Sequence, residues 1–128
     1  MTRRVEIRVP GRPELSHSAD AVRAEDVLFV AGVLPVDAEG RLVGGDDVVA
    51  QAGFTFAELG RILTAAGATY DDVAKVTVFL TDVSDQRKVN LVRQEAFGSA
   101  RPAATLVEVS GLAVPGAKIE VDAVVALP

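Results

Sequence analysis

The sequence predicts an α+β domain: a mixed sheet with two helices on one face. Three patterns predict it. From Val49 to Ala66 apolar side chains recur every three or four positions, the period of a helix with one buried stripe. Val73–Leu80 is apolar and β-branched almost throughout, as expected of a central strand covered on both sides. Shorter runs of alternating apolar and polar residues lie on either side of these two segments. In chain order the elements read β-β-β-α-β-α-β-β. With 128 residues the chain fits one domain, residues 1–128, because domains cluster at roughly 100–150 residues.

Val5, Ile7 and Val9 alternate with Glu6 and Arg8, and Pro10, Gly11 and Pro13 end the run, so the first strand has one face on a core. Arg3, Arg4 and Arg8 belong to its wet side. The second strand is expected over Ala19–Arg23 and the third over Val27–Ala31, with Ala24-Glu25-Asp26 as a hairpin turn. Pro35–Gly45 has no period and reads as a surface loop. Asp46 is a suitable N-cap for the long helix, whose inner face is expected to carry Val49, Ala52, Phe56, Leu59, Leu63 and Ala66. Gly67 stands where a C-terminal cap would. A shorter helix is expected over Asp85–Phe97, with Val89, Val92 and Ala96 inward. Thr105–Val109 and Lys118–Ala126 complete the sheet, separated by a Ser110–Ala117 loop with a Pro115-Gly116 turn. Ile119, Val121, Ala123 and Val125 alternate with Glu120, Asp122 and Val124, and are expected on the sheet face that the helices leave bare. Two apolar faces and only two helices imply self-association.

Composition excludes several chemistries. Thirteen basic against 18 acidic residues give a net charge of −5, and no basic patch of convincing size offsets it, so nucleic acid is not an expected partner. With no cysteine and one histidine, thiolate chemistry, disulfides and any site needing two imidazoles are ruled out, and no metal is expected. No apolar run reaches the ~18 residues of a membrane span, and MTRRVEIRVPGRP lacks a leader's apolar centre, so the expectation is a cytoplasmic protein with no membrane partner. Gly40, Gly44 and Gly45 match no phosphate-binding spacing.

Few residues carry chemistry on their own. Ser16-His17-Ser18 sets hydroxyls beside the only imidazole, but neighbours on a strand point to opposite faces and cannot easily share a proton. Glu120 lies between Ile119 and Val121 in an apolar strand, and two readings stand. Either it faces solvent on the polar side of a half-buried strand, or it is a desolvated carboxyl fit for acid/base work. Asn90, on the second helix, could cap, bridge to a loop or meet a ligand. Arg101-Pro102 marks a boundary before the fifth strand.

The segments SHSADAVRAEDVLFVAGVLPVD, VTVFLTDVSDQRKVN and EAFGSARPAATLVEVSGLAVPGAKIEVDAVV, with the helix between them, resemble the RidA family, also called YjgF or endoribonuclease L-PSP. The likeness runs from about Leu15 to Val125. It implies a chorismate-mutase-like fold, a homotrimer with an inner barrel of sheets and outer helices, and three clefts between subunits. It also implies hydrolysis of enamine and imine intermediates, such as 2-aminoacrylate and its imine tautomer, to a 2-keto acid and ammonia, without a cofactor. In such a cleft Glu120, within KIEVDA, takes the place of the family glutamate that activates water.

The family's Pro-Ala-Arg-Ser/Thr motif reads Pro102-Ala103-Ala104-Thr105 here, so the arginine that would grip a substrate carboxylate is replaced by Ala104. Arg101, three positions away, would face the other side of a strand and is a poor stand-in. Ser18 stands where a tyrosine is frequent, Ala31 where a serine precedes Gly32, and Leu106 where some members carry cysteine. Asn90 is retained. The resemblance therefore places His17, Ser18, Ala31, Gly32, Asn90, Ala104, Thr105 and Leu106 around the substrate, in a cleft less polar than that of the acid-binding deaminases. Three functions follow as expectations: an enzyme on a small imine, enamine or related carbonyl-type intermediate without a carboxylate; a trimer that binds a small ligand or steadies a partner without turnover; and, against the charge balance, a ribonuclease.

Overall fold

The computed structural model describes residues 3–128; Met1 and Thr2, which open the stretch read for a leader, lie outside the described residues. One six-stranded mixed sheet carries two long helices. Its strands are β1 (Arg4–Ile7), β2 (Ala21–Ala24), β3 (Val27–Val33), β4 (Val73–Leu80), β5 (Ala103–Glu108) and β6 (Ile119–Ala126). Across the sheet they run β1-β2-β3-β6-β4-β5. Every neighbouring pair is antiparallel except β4 and β5, which run parallel and are joined through helix α2 (Gln86–Phe97). Helix α1 (Val48–Ala65) joins β3 to β4.

Asp47, rather than Asp46, caps α1, its carboxylate accepting from the amides of Val49 and Ala50. Gly67, at φ +77°, lies just past the end of α1, in the left-handed conformation that glycine adopts without strain. The hairpin between β2 and β3 is tighter than the pattern suggested: two residues, Glu25 and Asp26, make the turn, with Glu25 at φ +56°. The buried face of α1 is rotated from expectation. Val48, Gln51, Thr55, Glu58 and Ile62 join Ala52, Phe56, Leu59 and Leu63 inside, whereas Val49 is exposed. Helix α2 docks on α1 through Phe97, whose ring meets Phe56 edge-on at 6.1 Å and Tyr70 at 5.0 Å.

The face assignment of β6 is corrected. Ile119, Val121, Ala123 and Val125 are buried under the helices, in one core with Leu28, Val30, Val76, Val78 and Leu80. The bare face carries Glu120, Asp122 and Val124, together with Phe29, Lys75, Thr77, Phe79, Thr105 and Val107 by register. It is therefore mixed in character, with Phe29 50% exposed.

The Pro35–Gly45 segment is also more than a surface loop. Leu34, Val36 and Ala117 form a second small core with Leu42, Leu112 and Val114, and Val36 bridges to Leu42. Gln51 ties this layer to α1: its fully buried amide donates to the carbonyls of Gly45 (2.7 Å) and Gly116 (3.0 Å) and accepts from the Lys118 amide (2.7 Å).

Candidate functional site

Glu120 sits on β6 opposite Phe79 of β4, on the sheet face without helices. Its other neighbour, β3, carries a bulge there: Val30 pairs with Ala123 and Val33 with Val121, so three steps on β3 match two on β6. The extra residue brings Gly32 under the carboxylate. A Cβ at position 32 would overlap Glu120 Oε2 and lie 2.9 Å from Cδ, so only glycine leaves room for the carboxyl in this seat.

The Glu120 carboxylate is half-buried, and among the described residues it has neither a hydrogen-bond nor an ion-pair partner. Burial raises its pKa above the ordinary carboxylate value, and the negative charge of Asp122 on the same face raises it further. Neither of the two readings of Glu120 holds in pure form, because the residue is on the polar side of its strand and yet partly withdrawn from water.

The carboxylate opens onto a cleft of about 220 Å³ whose wall includes Ser18, Ala31, Gly32, Leu34 and Ala113. Arg12, Pro13 and Asp20 close one side. The Arg12 side chain is only 7% exposed, and its guanidinium donates from Nε to Asp20 (3.0 Å) and from Nη1 to Glu58 on α1 (2.7 Å). Asp20 in turn accepts the Val9 amide at 2.7 Å, and its carbonyl accepts the Ala31 amide at 3.0 Å. Asp20 and Glu58, the latter shared with Arg61, offset the Arg12 charge.

Of the residues expected around a substrate, Ser18, Ala31 and Gly32 meet Glu120 in this cleft. His17 is exposed in a bend before β2 and is not part of the wall. That bend, not a strand, holds Ser16 and Ser18, whose hydroxyls lie 2.9 Å from each other and engage no imidazole. Thr105 shares the sheet face of Glu120 two strands away and accepts from Lys75 Nζ at 2.8 Å. Ala104 and Leu106 fall in register with Val76 and Val78, on the helix side, where Leu106 packs against the core. Asn90 lines a separate groove on α2 with Gln86, Arg87 and Gln94. Arg101 is exposed in another groove, beside Arg93. One chain alone thus gathers Glu120 and three of the eight residues expected around a substrate.

The sequence reading missed Arg12 and Asp20. In the pattern they belong to a terminator, Pro10-Gly11-Arg12-Pro13, and to the start of a strand; a partner 46 residues away on α1 leaves no trace in local periodicity.

Among the described residues no group of acids, histidines or cysteines is arranged to hold a metal ion, and no helix is long and apolar enough to cross a membrane.

Comparison with known proteins agrees with this architecture. The family profile described as Endoribonuclease L-PSP matches residues 11–127. The 3-aminoacrylate deaminase RutC of Acinetobacter baylyi is 35% identical over 112 residues, 88% of each chain. A 2-iminobutanoate/2-iminopropanoate deaminase of Capra hircus is 36% identical over 107 residues, 83% of this chain and 77% of the relative. The crystal structure of a YjgF family member from Mycobacterium tuberculosis superposes with a TM-score of 0.83 at 31% identity, covering 97% of this chain and 99% of that one. The chain therefore belongs to the RidA/YjgF family, the family described as Endoribonuclease L-PSP.

Proposed function

We propose that the chain works as a homotrimer that hydrolyses a small imine, enamine or related carbonyl-type intermediate lacking a carboxylate, with Glu120 as the acid/base group. The single observation that carries this reading is the Glu120 carboxyl, seated over Gly32, partly desolvated, unpartnered among the described residues and open to the cleft. An unpaired, partly desolvated carboxyl costs stability, and its raised pKa in a cleft is the state that acid/base work requires.

The chemistry needs only water. Glu120 takes a proton from a water molecule as its oxygen attacks the carbon of the protonated imine, giving a carbinolamine. That proton then passes to the amine nitrogen, and as the C–N bond breaks the carbinolamine hydroxyl gives its own proton to Glu120, so that ammonia and a carbonyl compound leave. Relatives named as imine and enamine deaminases support this reaction class.

Two features support a substrate without a carboxylate. Ala104 occupies the place of the family's carboxylate-binding arginine, and a methyl group offers neither charge nor donor. The one guanidinium in the cleft wall, Arg12, is already offset by Asp20 and Glu58. Near Glu120 and Asp122 a further carboxylate would be repelled.

Support for the trimer comes from what one chain leaves incomplete. Phe29 and Val107 are exposed on the bare sheet face, and Asn90 and Ala104 do not reach their own subunit's cleft. In a trimer they are available to a neighbour's. A second reading, a trimer that binds a ligand without turnover, is favoured by one observation: the other carboxyl in the cleft wall, Asp20, is tied up by Arg12 and the Val9 amide, and His17 lies outside the wall.

Imines generated in solution test the proposal, from amines by an amine oxidase and from amino acids by an amino acid oxidase. The protein should speed ammonia release from the carboxylate-free imines and act poorly on 2-iminopropanoate and 2-iminobutanoate. Glu120→Gln should lower turnover ~10²–10⁴-fold. Ligand-induced thermal stabilisation with no turnover of either imine class would favour the binding reading.

A further inference from the structure

Arg12 has a free edge. Its Nε and Nη1 bind Asp20 and Glu58, but Nη2 has no hydrogen-bond partner among the described residues. Thr55 Oγ1 is the one fully buried side-chain polar atom left unpaired among them, so Arg12 Nη2 must keep some accessible surface. The side chain as a whole is 93% buried and lines the cleft that holds Glu120. A guanidinium with two of its three nitrogens locked is held rigidly, which removes most of the entropy cost of binding with the third.

The charge around that edge sets what it can bind. Arg61 also grips Glu58, at 2.8 and 3.1 Å, and donates to the Pro10 carbonyl at 2.8 Å. Arg12, Arg61, Asp20 and Glu58 therefore form a neutral set of four. Glu120 and Asp122 add negative charge on the cleft side, and Ser16 and Ser18 add hydroxyls but no cation. A ligand carboxylate on Arg12 would have to compete with two carboxylates already in place. A neutral oxygen acceptor would not.

We infer that Arg12 is a specificity-determining residue of the cleft, its Nη2 edge donating to a neutral oxygen acceptor, such as an amide or ketone oxygen, on the substrate. This rests on the reading of the Glu120 cleft as the substrate site, and it names the substrate class: a small imine with an uncharged carbonyl group beside the reacting carbon. Arg12 would orient that oxygen while Glu120 serves the imine carbon.

Three ketones of nearly equal shape separate the possibilities: 2-oxopropanamide, with a neutral acceptor; 2-oxopropanoate, with a carboxylate; and butanone, with neither beyond its own ketone. Binding is read by NMR shift titration with the parent protein, and the result does not depend on turnover because ketones carry no imine to hydrolyse. The amide should bind about tenfold more tightly than butanone, the effect of one hydrogen bond to a charged donor, and more tightly than the carboxylate. Arg12→Lys should abolish the preference for the amide over butanone and leave butanone affinity unchanged. Where Arg12→Lys fails to fold, Glu58→Gln serves instead: it removes one offsetting charge and should shift preference from the amide towards the carboxylate.

No preference for the amide, tighter binding of the carboxylate by the parent protein, or no binding of any of the three would overturn the inference. An amide preference in a protein that turns over no imine would instead sink the enzymatic reading and leave Arg12 as a recognition residue.

Discussion

Gly32→Ala separates the seat of Glu120 from the stability of the fold. Gly32 is not among the glycines at positive φ, so alanine can adopt its backbone without strain. The new methyl would overlap Oε2 and stand 2.9 Å from Cδ and 3.3 Å from Cγ of Glu120. Those atoms end a flexible side chain, so the clash is relieved when Glu120 changes rotamer, at a cost of order 0.5–1.5 kcal/mol. Reduced freedom of the unfolded chain returns about 0.4–1 kcal/mol. Net stability should therefore change by less than ~1 kcal/mol. Turnover should fall much further, because a general base displaced by about 1 Å loses roughly a hundredfold. Urea denaturation gives the first quantity and ammonia release from a carboxylate-free imine the second. The double variant Gly32→Ala with Glu120→Gln should be no slower than Glu120→Gln alone, since both act through one group. Full activity in Gly32→Ala would refute the seat as the source of function, and so would a loss of activity fully accounted for by unfolding.

Leu59→Ala and Leu63→Ala, both at essentially fully buried positions of α1, should each cost ~2–5 kcal/mol in urea unfolding. Gln51→Ala removes three hydrogen bonds and strands the Lys118 amide and two carbonyls, for a loss of roughly 2–4 kcal/mol. The raised pKa of Glu120 means that the folded chain holds that proton more tightly than the unfolded chain. Its contribution is present below the ordinary carboxylate pKa and is lost as pH rises through the raised value; urea midpoints for Glu120→Gln should exceed those of the parent at about pH 8 and converge with them near pH 4. Light scattering should report three times the 13.4 kDa chain mass, and a monomer at micromolar concentration would remove the inter-subunit site.

The elements legible in the sequence are those fixed by local physics. The helical period of α1, the apolar run of β4, matched residue for residue, and the alternation along β6 each reflect burial of one chain segment against a continuous core. Period two says that Ile119 and Glu120 face opposite ways, but not which of them faces the helices, and that assignment came out reversed. The seat of Glu120 was legible only in part. Gly32 follows from the family resemblance, whereas its reason is a bulge, a difference in count between two strands about ninety residues apart in the chain. Arg12, Asp20 and Glu58 are brought together by the path of the connection between β1 and β2 beside α1, and buried ion pairs have no period to read. The burial of Leu34 and Val36 escaped notice for the same reason: their partners, Ala117 and Leu112, come from a distant loop.

The strand that comes last in the chain, β6, is inserted between β3 and β4 at the middle of the sheet. During synthesis, β1–β3 and α1 emerge first, then β4, α2 and β5, and the two halves share no strand pairing until Ile119–Ala126 arrives. Until then β3 and β4 each present an open edge with unpaired amides and carbonyls, the condition under which nascent chains stick to one another. Closure of the sheet is a non-local event that pairs residues up to 99 positions apart, so its loop-closure cost falls late and the topology folds slowly. Glu120 travels on this same strand. Sheet closure and delivery of the carboxylate to its seat are one step, so a chain that stalls or is clipped before β6 is left without both a continuous sheet and its acid.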